Sequence, residues 1–150
     1  MSEHKARIYW ERETKDFAYE TYDRTHEVTF EGGIHCQASA AKEYLGKAEL
    51  VNPEELLAAA LSSCHMLTFL AVAAKSRLTV NSYEDNAVSI LDKNAAGKLA
   101  VTKTILRPKV VFAKETPVTP EKLSELHEKA HRNCFIANSV SGEVVTEPVN

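Results

Sequence analysis

Two thiols set in helix-like contexts seventy residues apart are the residues of this chain best suited to chemistry. Cys64 lies inside the apolar run Leu56-Leu57-Ala58-Ala59-Ala60-Leu61-Ser62-Ser63-Cys64-His65-Met66, and Cys134 closes the pattern His127-Glu128-Lys129-Ala130-His131-Arg132-Asn133-Cys134. A buried helical cysteine is ordinarily a small hydrophobe. Ser62, Ser63 and His65 are polar neighbours that a plain core position would not call for, and His65 is placed to hold positive charge beside the thiol. A thiolate is the nucleophile, so a reactive cysteine needs a cation or a hydrogen-bond donor to lower its pKa from about 8.5. Cys134 reads either as a core residue at a helix end or as a resolving thiol, which attacks an oxidised Cys64 and leaves a disulfide. Cys36, between His35 and Gln37, reads as a structural or incidental thiol.

His127, His131 and Cys134 fall at i, i+4 and i+7, one face of a helix. With Cys64 or His65 that face offers a transition-metal site; half-exposed histidines, or a polar neighbour for the thiols, are the plainer readings. Glu54 suits a helix N-terminus. It precedes Cys64 by ten residues, which is about 15 Å along a straight helix. The two cannot touch on one helix, so joint action requires a second, antiparallel copy and therefore a homodimer.

The 150 residues suffice for one domain, 1–150, with its own core. A hydrophobic share of 44% and a charged share of 26% are those of a globular protein. The formal charge of -3 supplies no basic excess for neutralising phosphates, which argues against a nucleic-acid partner. The longest apolar stretch, Leu56 to Ala74, is interrupted by Ser62, Ser63, Cys64 and His65 and reads as a buried helix, not a membrane span. Met1-Ser2-Glu3-His4-Lys5 runs into a charged segment, so no cleaved leader is expected. Three cysteines with no short-spaced pair fit a reducing, cytoplasmic setting.

Alternation predicts strands over Lys5–Trp10, Phe17–Tyr22, Thr25–Phe30 and Ile34–Ala38, with Glu31-Gly32-Gly33 as a turn. Residues 39–51 read as a loop, with a single turn near Glu43 to Gly46. Asn52-Pro53-Glu54-Glu55 is an N-cap, a proline at the first helical position and a capping-box glutamate, opening a helix that runs to about Arg77. Apolar residues nearly all round it place it centrally in the fold. Val80–Leu91 and Leu99–Phe112 read as long strands joined by the hairpin signal Asn94-Ala95-Ala96-Gly97. Thr119-Pro120 opens a second helix to about Arg132, and Val140–Glu147 is a last strand. The order ββββ-α-ββ-α-β is an α+β pattern with antiparallel sheets.

The start Asn52-Pro53-Glu54-Glu55-Leu56, the alanine-rich continuation, Cys64 ten residues after Glu54, and a late Cys134 before the last strand resemble the osmotically inducible protein C and organic hydroperoxide resistance (OsmC/Ohr) superfamily. The strand order agrees over essentially the whole chain. The resemblance implies an intertwined homodimer with two long central helices wrapped by antiparallel sheets, and active sites at the subunit interface. It implies reduction of organic hydroperoxides by a peroxidatic Cys64 with Cys134 resolving. In such a cycle an external dithiol reduces the disulfide, and no cofactor or metal is expected. The resemblance also implies an arginine and a glutamate that activate the thiolate. Glu54 matches that glutamate. Residues 39–51 hold only Lys42 and Lys47, so Arg24 of the N-terminal segment is the candidate arginine and Arg12 the second. Glu54 would then orient Arg24 by a bidentate pair. Leu61, Met66, Leu67 and Phe69 are expected to line a pocket for an alkyl or lipid hydroperoxide. His65 after Cys64, and Phe135-Ile136 after Cys134, depart from the better-known branches and point to a less characterised one. The alternative reading is a non-catalytic protein on the same fold, binding a metal through Cys64, His131 and Cys134, binding a small apolar ligand, or sensing redox state.

Overall fold

The computed structural model describes residues 1–149, and the chain forms two compact units, Met1–Leu56 and Leu57–Asn150. The fold is α+β, as expected.

In the first unit, β1 (Ala6–Tyr9), β2 (His26–Phe30) and β3 (His35–Ala38) form an antiparallel sheet in the order β1-β2-β3. The β2–β3 turn closes where the Gly33 N–H donates to the Phe30 carbonyl at 2.9 Å, with Gly33 at φ +82. That left-handed conformation is cheap only without a Cβ. The strand expected over Phe17–Tyr22 is absent. The N–H groups of Thr21 and Tyr22 turn back to the Ala18 carbonyl at 3.1 and 3.0 Å. Alternation alone cannot form a strand without a partner edge. Here Phe17 and Tyr22 instead pack on one another, ring centroids 5.2 Å apart, and on Trp10. A 3-10 turn, Lys42–Tyr44, lies in the segment read as a loop.

The helix α1 (Pro53–Lys75) opens as its sequence requires. The Glu55 N–H donates to Asn52 Oδ1, and the Asn52 N–H donates to Glu55 Oε2, both at 2.9 Å, the reciprocal pair of a capping box. By length and composition α1 is long and apolar enough to cross a membrane, yet it buries the stripe Ala58, Leu61, His65, Phe69 and Ala73 as a core helix does. Its other faces remain open in the single chain, with Leu67 60% exposed. The all-round apolar character thus exceeds what one chain buries.

In the second unit the two long strands expected from the sequence are one bent hairpin. β4 (Val80–Asp85) pairs antiparallel with β7 (Pro108–Phe112), and β5 (Val88–Lys93) pairs antiparallel with β6 (Leu99–Leu106). At the bend, Asp85 Oδ1 accepts the Arg107 N–H at 2.6 Å, so a side chain takes the donor between β6 and β7. The hairpin tip is as expected. Gly97 lies at φ +75, and Asn94 Oδ1 accepts the N–H groups of Ala96 and Lys98 at 3.0 and 3.1 Å. The helix α2 (Pro120–Asn133) is capped by Thr119, whose side chain accepts the Lys122 N–H. The last strand, β8 (Glu143–Thr146), pairs with β6 in parallel, so this sheet is mixed, not wholly antiparallel. Phe69 and Ala73 of α1 and Leu126 and Ala130 of α2 form the core cluster, with Val80, Tyr83, Val110 and Phe112 packed against it.

Candidate active site

The two thiols predicted to cooperate are brought together within the second unit. Cys64 lies midway along α1, on the face beside the buried stripe, and is partly exposed. Cys134 is the C-cap of α2 and is buried. Its own N–H returns to the His131 carbonyl, and its sulfur accepts the Ala137 N–H at 3.5 Å, so the turn leaving α2 fixes the thiol. The two thiols are electrostatically unequal. Burial is the largest influence on Cys64 and opposes ionisation. It is outweighed by donors around the sulfur, chiefly the Ile136 N–H, the Cys134 thiol and the Phe135 N–H, while the Thr68 hydroxyl donates to the Cys64 carbonyl at 2.8 Å. The net result is a Cys64 pKa below the ordinary thiol value. Cys134 is pushed up to about 11 by burial first, with its position beside Cys64 adding to the rise. A thiolate therefore forms first at Cys64, while Cys134 stays protonated as its donor.

Cys64 opens into a groove of about 720 Å³ walled mainly by apolar atoms of Leu67, Ala71, Val72, Phe135 and Ile136. Of the four residues expected to line an apolar pocket, only Leu67 does so; Leu61 and Phe69 are spent in the core. Phe135 and Ile136 were not foreseen as wall residues. Their place directly after Cys134 was the available signal.

The polar residues around Cys64 have other employment than the sequence suggested. The Ser62 hydroxyl donates to Asp85 Oδ2 at 2.5 Å, which ties α1 to the bend of the hairpin. His65 carries no positive charge near neutrality. Burial, with His131 adding, depresses its pKa to about 4. Its Nε2 meets Nδ1 of His127 edge to edge at 3.1 Å, the two ring planes 9° apart. Among the described residues no three His, Cys, Asp or Glu side chains converge as a metal cage, so the triad Cys64, His131 and Cys134 does not form one.

The remaining predicted residues lie in the first unit. Arg24, 9% exposed, donates to the carbonyls of Tyr22 and Tyr19 at 3.0 and 2.7 Å. Its guanidinium lies 4.0 Å from the centroid of the Tyr22 ring and 5.1 Å from that of Tyr19. These rings border an apolar hollow of about 510 Å³ with Trp10 and Phe17. The expected bidentate Arg24–Glu54 pair is not formed: among the described residues Arg24 has no carboxylate partner, and Glu54 Oε2 is buried without a hydrogen bond. Arg12 is turned to the carbonyls of Thr14 and Lys15 at the surface.

An α+β chain with this helix start and this thiol pair is a member of a known class. The family model described as OsmC-like protein matches residues 46–148, and the chain belongs to that family. An OsmC-like protein of unknown function from Vibrio cholerae is 50% identical in sequence, with a TM-score of 0.95 over 99% of this chain and 100% of that one. The uncharacterized protein YmaD of Bacillus subtilis is 28% identical over 114 residues, 75% of each chain. The fold is shared with the organic hydroperoxide resistance protein OhrB of Bacillus subtilis, at 18% identity and a TM-score of 0.68 over 99% of this chain and 98% of that one.

Proposed function

We propose that the protein is a thiol peroxidase that reduces organic hydroperoxides through Cys64 and Cys134. The observation that carries this reading is an unequal thiol pair with Cys64 on an apolar groove: a cysteine held below the ordinary pKa by donors, beside a buried one held above it. The Cys64 thiolate attacks the distal peroxide oxygen. The O–O bond breaks, an alkoxide leaves and takes a proton to become the alcohol, and Cys64 becomes a sulfenic acid. Cys134 then attacks that sulfur. The S–S bond forms, the S–O bond breaks, and the hydroxyl leaves as water with the Cys134 proton. An external dithiol restores both thiols by exchange, the cycle of a cytoplasmic protein in a reducing compartment. The groove's apolar walls favour alkyl peroxides over hydrogen peroxide.

The same reading gives Arg24 and Glu54 the task of completing the site in a homodimer. It is supported by an arginine with no carboxylate partner and a glutamate oxygen with no donor, which single chains leave at a cost. The test is exposure of reduced protein to one equivalent of cumene hydroperoxide, an alkylating quench and thiol mapping by mass spectrometry. A Cys64–Cys134 disulfide is expected, formed faster than with hydrogen peroxide and abolished by Cys64→Ser. Cys134→Ser should stop at one oxidation and leave Cys64 open to sulfinic acid. Two free thiols after minutes with the organic peroxide overturn the proposal.

A further inference from the structure

His65 and His127 have no part in the cycle above, yet they are 1% and 4% exposed and joined to each other. Their rings meet edge to edge, centroids 5.4 Å apart and planes 9° apart, with Nε2 of His65 3.1 Å from Nδ1 of His127. That bond holds a single proton. Whichever ring supplies it, the other must accept through a bare nitrogen. The outer nitrogens, His65 Nδ1 and His127 Nε2, have no hydrogen-bond partner among the described residues. His127-Glu128-Lys129-Ala130-His131 has the spacing with which a helix offers two histidines to zinc. Here, however, His127 spends Nδ1 on His65, and no third ligand joins among the described residues.

The location gives the pair its meaning. His65 adjoins Cys64 on α1, and His127 precedes Cys134 by seven residues on α2. The bond therefore ties the helix that carries one thiol to the helix that positions the other. We propose that the His65–His127 pair is an acid-sensitive clasp that positions Cys134 against Cys64, and that its protonation releases the resolving thiol. The assignment of Cys134 as resolving rests on the peroxidase reading; the clasp itself does not.

The charge environment fits. From α2, His131 disfavours a charge on His65, and the exposed Glu128 lines the same groove as His127 and His131. From β4, Asp85 favours a charge but is already engaged by Ser62 and the Arg107 N–H. Tyr83, its hydroxyl held neutral by burial, packs its ring on Phe69, whose ring lies 4.5 Å from that of His127. A first proton leaves an imidazolium donating to an imidazole. A second makes both facing nitrogens donors and breaks the bond. Burial depresses both histidines to about 4, whereas freed rings titrate near 6.5. Between those values the open arrangement binds more protons than the closed one. Falling pH therefore favours opening, and rising pH leaves the clasp shut.

The test follows the buried Cys134 with 4,4′-dithiodipyridine, a disulfide reagent that reacts with thiols in acid as well as at neutrality. The full-length Cys64→Ser protein is used. Cys134 reactivity is expressed relative to the same protein unfolded in urea at each pH, which cancels the intrinsic chemistry, while circular dichroism monitors the helices. Protection is expected at neutral pH, falling by up to about two decades per pH unit below pH 6.5 while the helices persist. In His127→Asn, whose side-chain amide can either donate to or accept from His65 Nε2, neutral protection should survive and the slope should drop to about one decade per pH unit. In His127→Ala, protection at neutral pH should be lost by about tenfold or more. Protection that stays flat to about pH 4 in the parent protein overturns the proposal, even if no variant folds, because freed histidines must bind protons in that window. An intact pH response in a protein inert to hydroperoxide would remove the peroxidase reading and leave the clasp standing.

Discussion

At the scale of single residues, the chemistry turns on which of two thiols ionises first. The sequence names Cys64 as the attacking thiol and Cys134 as the resolving one, but both are helical cysteines with polar neighbours, and context alone supplies no bonds that would set that order. The ranking comes from the turn after α2, which brings Phe135, Ile136 and the Cys134 thiol around the Cys64 sulfur, and from burial of Cys134 itself. Because Cys134 is one of the donors lowering the Cys64 pKa, its removal has a signed consequence. Cys134→Ala raises the Cys64 pKa and reduces its thiolate fraction at neutral pH. Alkylation of Cys64 by iodoacetamide at pH 7 should slow by roughly threefold, and the midpoint of its pH–rate profile should move upward. Cys134→Ser, which keeps a donor, should move it less. An unchanged or downward midpoint in Cys134→Ala would show that Cys134 gives Cys64 no net help.

At the scale of elements, local signals and distant partners separate cleanly. The start of α1 was legible because everything that makes it lies within four residues: Asn52 caps, Pro53 begins, and Glu55 answers. Asn52→Ala removes one half of that exchange and should cost about 1 kcal/mol of stability, read as a lower denaturant midpoint with unchanged slope. The Thr119-Pro120 start of α2 and the Asn94–Gly97 hairpin tip were legible for the same reason. The failures depended on contacts that alternation does not encode, most of them with partners far along the chain. Phe17–Tyr22 alternates like a strand, but its rings found Trp10 and each other. The long strands bend where Asp85 meets the Arg107 N–H, and β8 lies parallel to β6, which a period of two cannot reveal. In the site, Cys64 and Cys134 were legible as a pair through chemistry and spacing. Ser62 and His65 were misread as thiol neighbours, because their partners, Asp85 and His127, sit 23 and 62 residues away.

At the scale of the whole molecule, α1 carries more apolar surface than one chain covers. Leu67 is 60% exposed and Phe135 is 80% exposed, both on the groove that holds Cys64. The same helix carries Glu54 ten residues from Cys64, about 15 Å away along the axis and out of contact on one chain. A twofold antiparallel pairing of two copies of α1 would cover the apolar face and bring Glu54 of each chain to Cys64 of the other, since in an isologous interface every contact occurs twice. This arrangement makes a prediction that a monomeric site cannot meet. Cys64→Ser and Glu54→Gln each disable both sites of their own homodimer. When the two variants are unfolded together and refolded, the mixed dimer holds one intact site, formed by Cys64 of the Glu54→Gln chain and Glu54 of the Cys64→Ser chain. Random pairing makes about half the dimers mixed, with one of two sites working in each, so about a quarter of the wild-type peroxidase rate should return. Recovery in the mixture, with none in either variant alone, would place the two residues in one site across the subunit boundary. If the mixture is as inactive as its parts, Glu54 serves Cys64 only within a single chain or does not serve it at all.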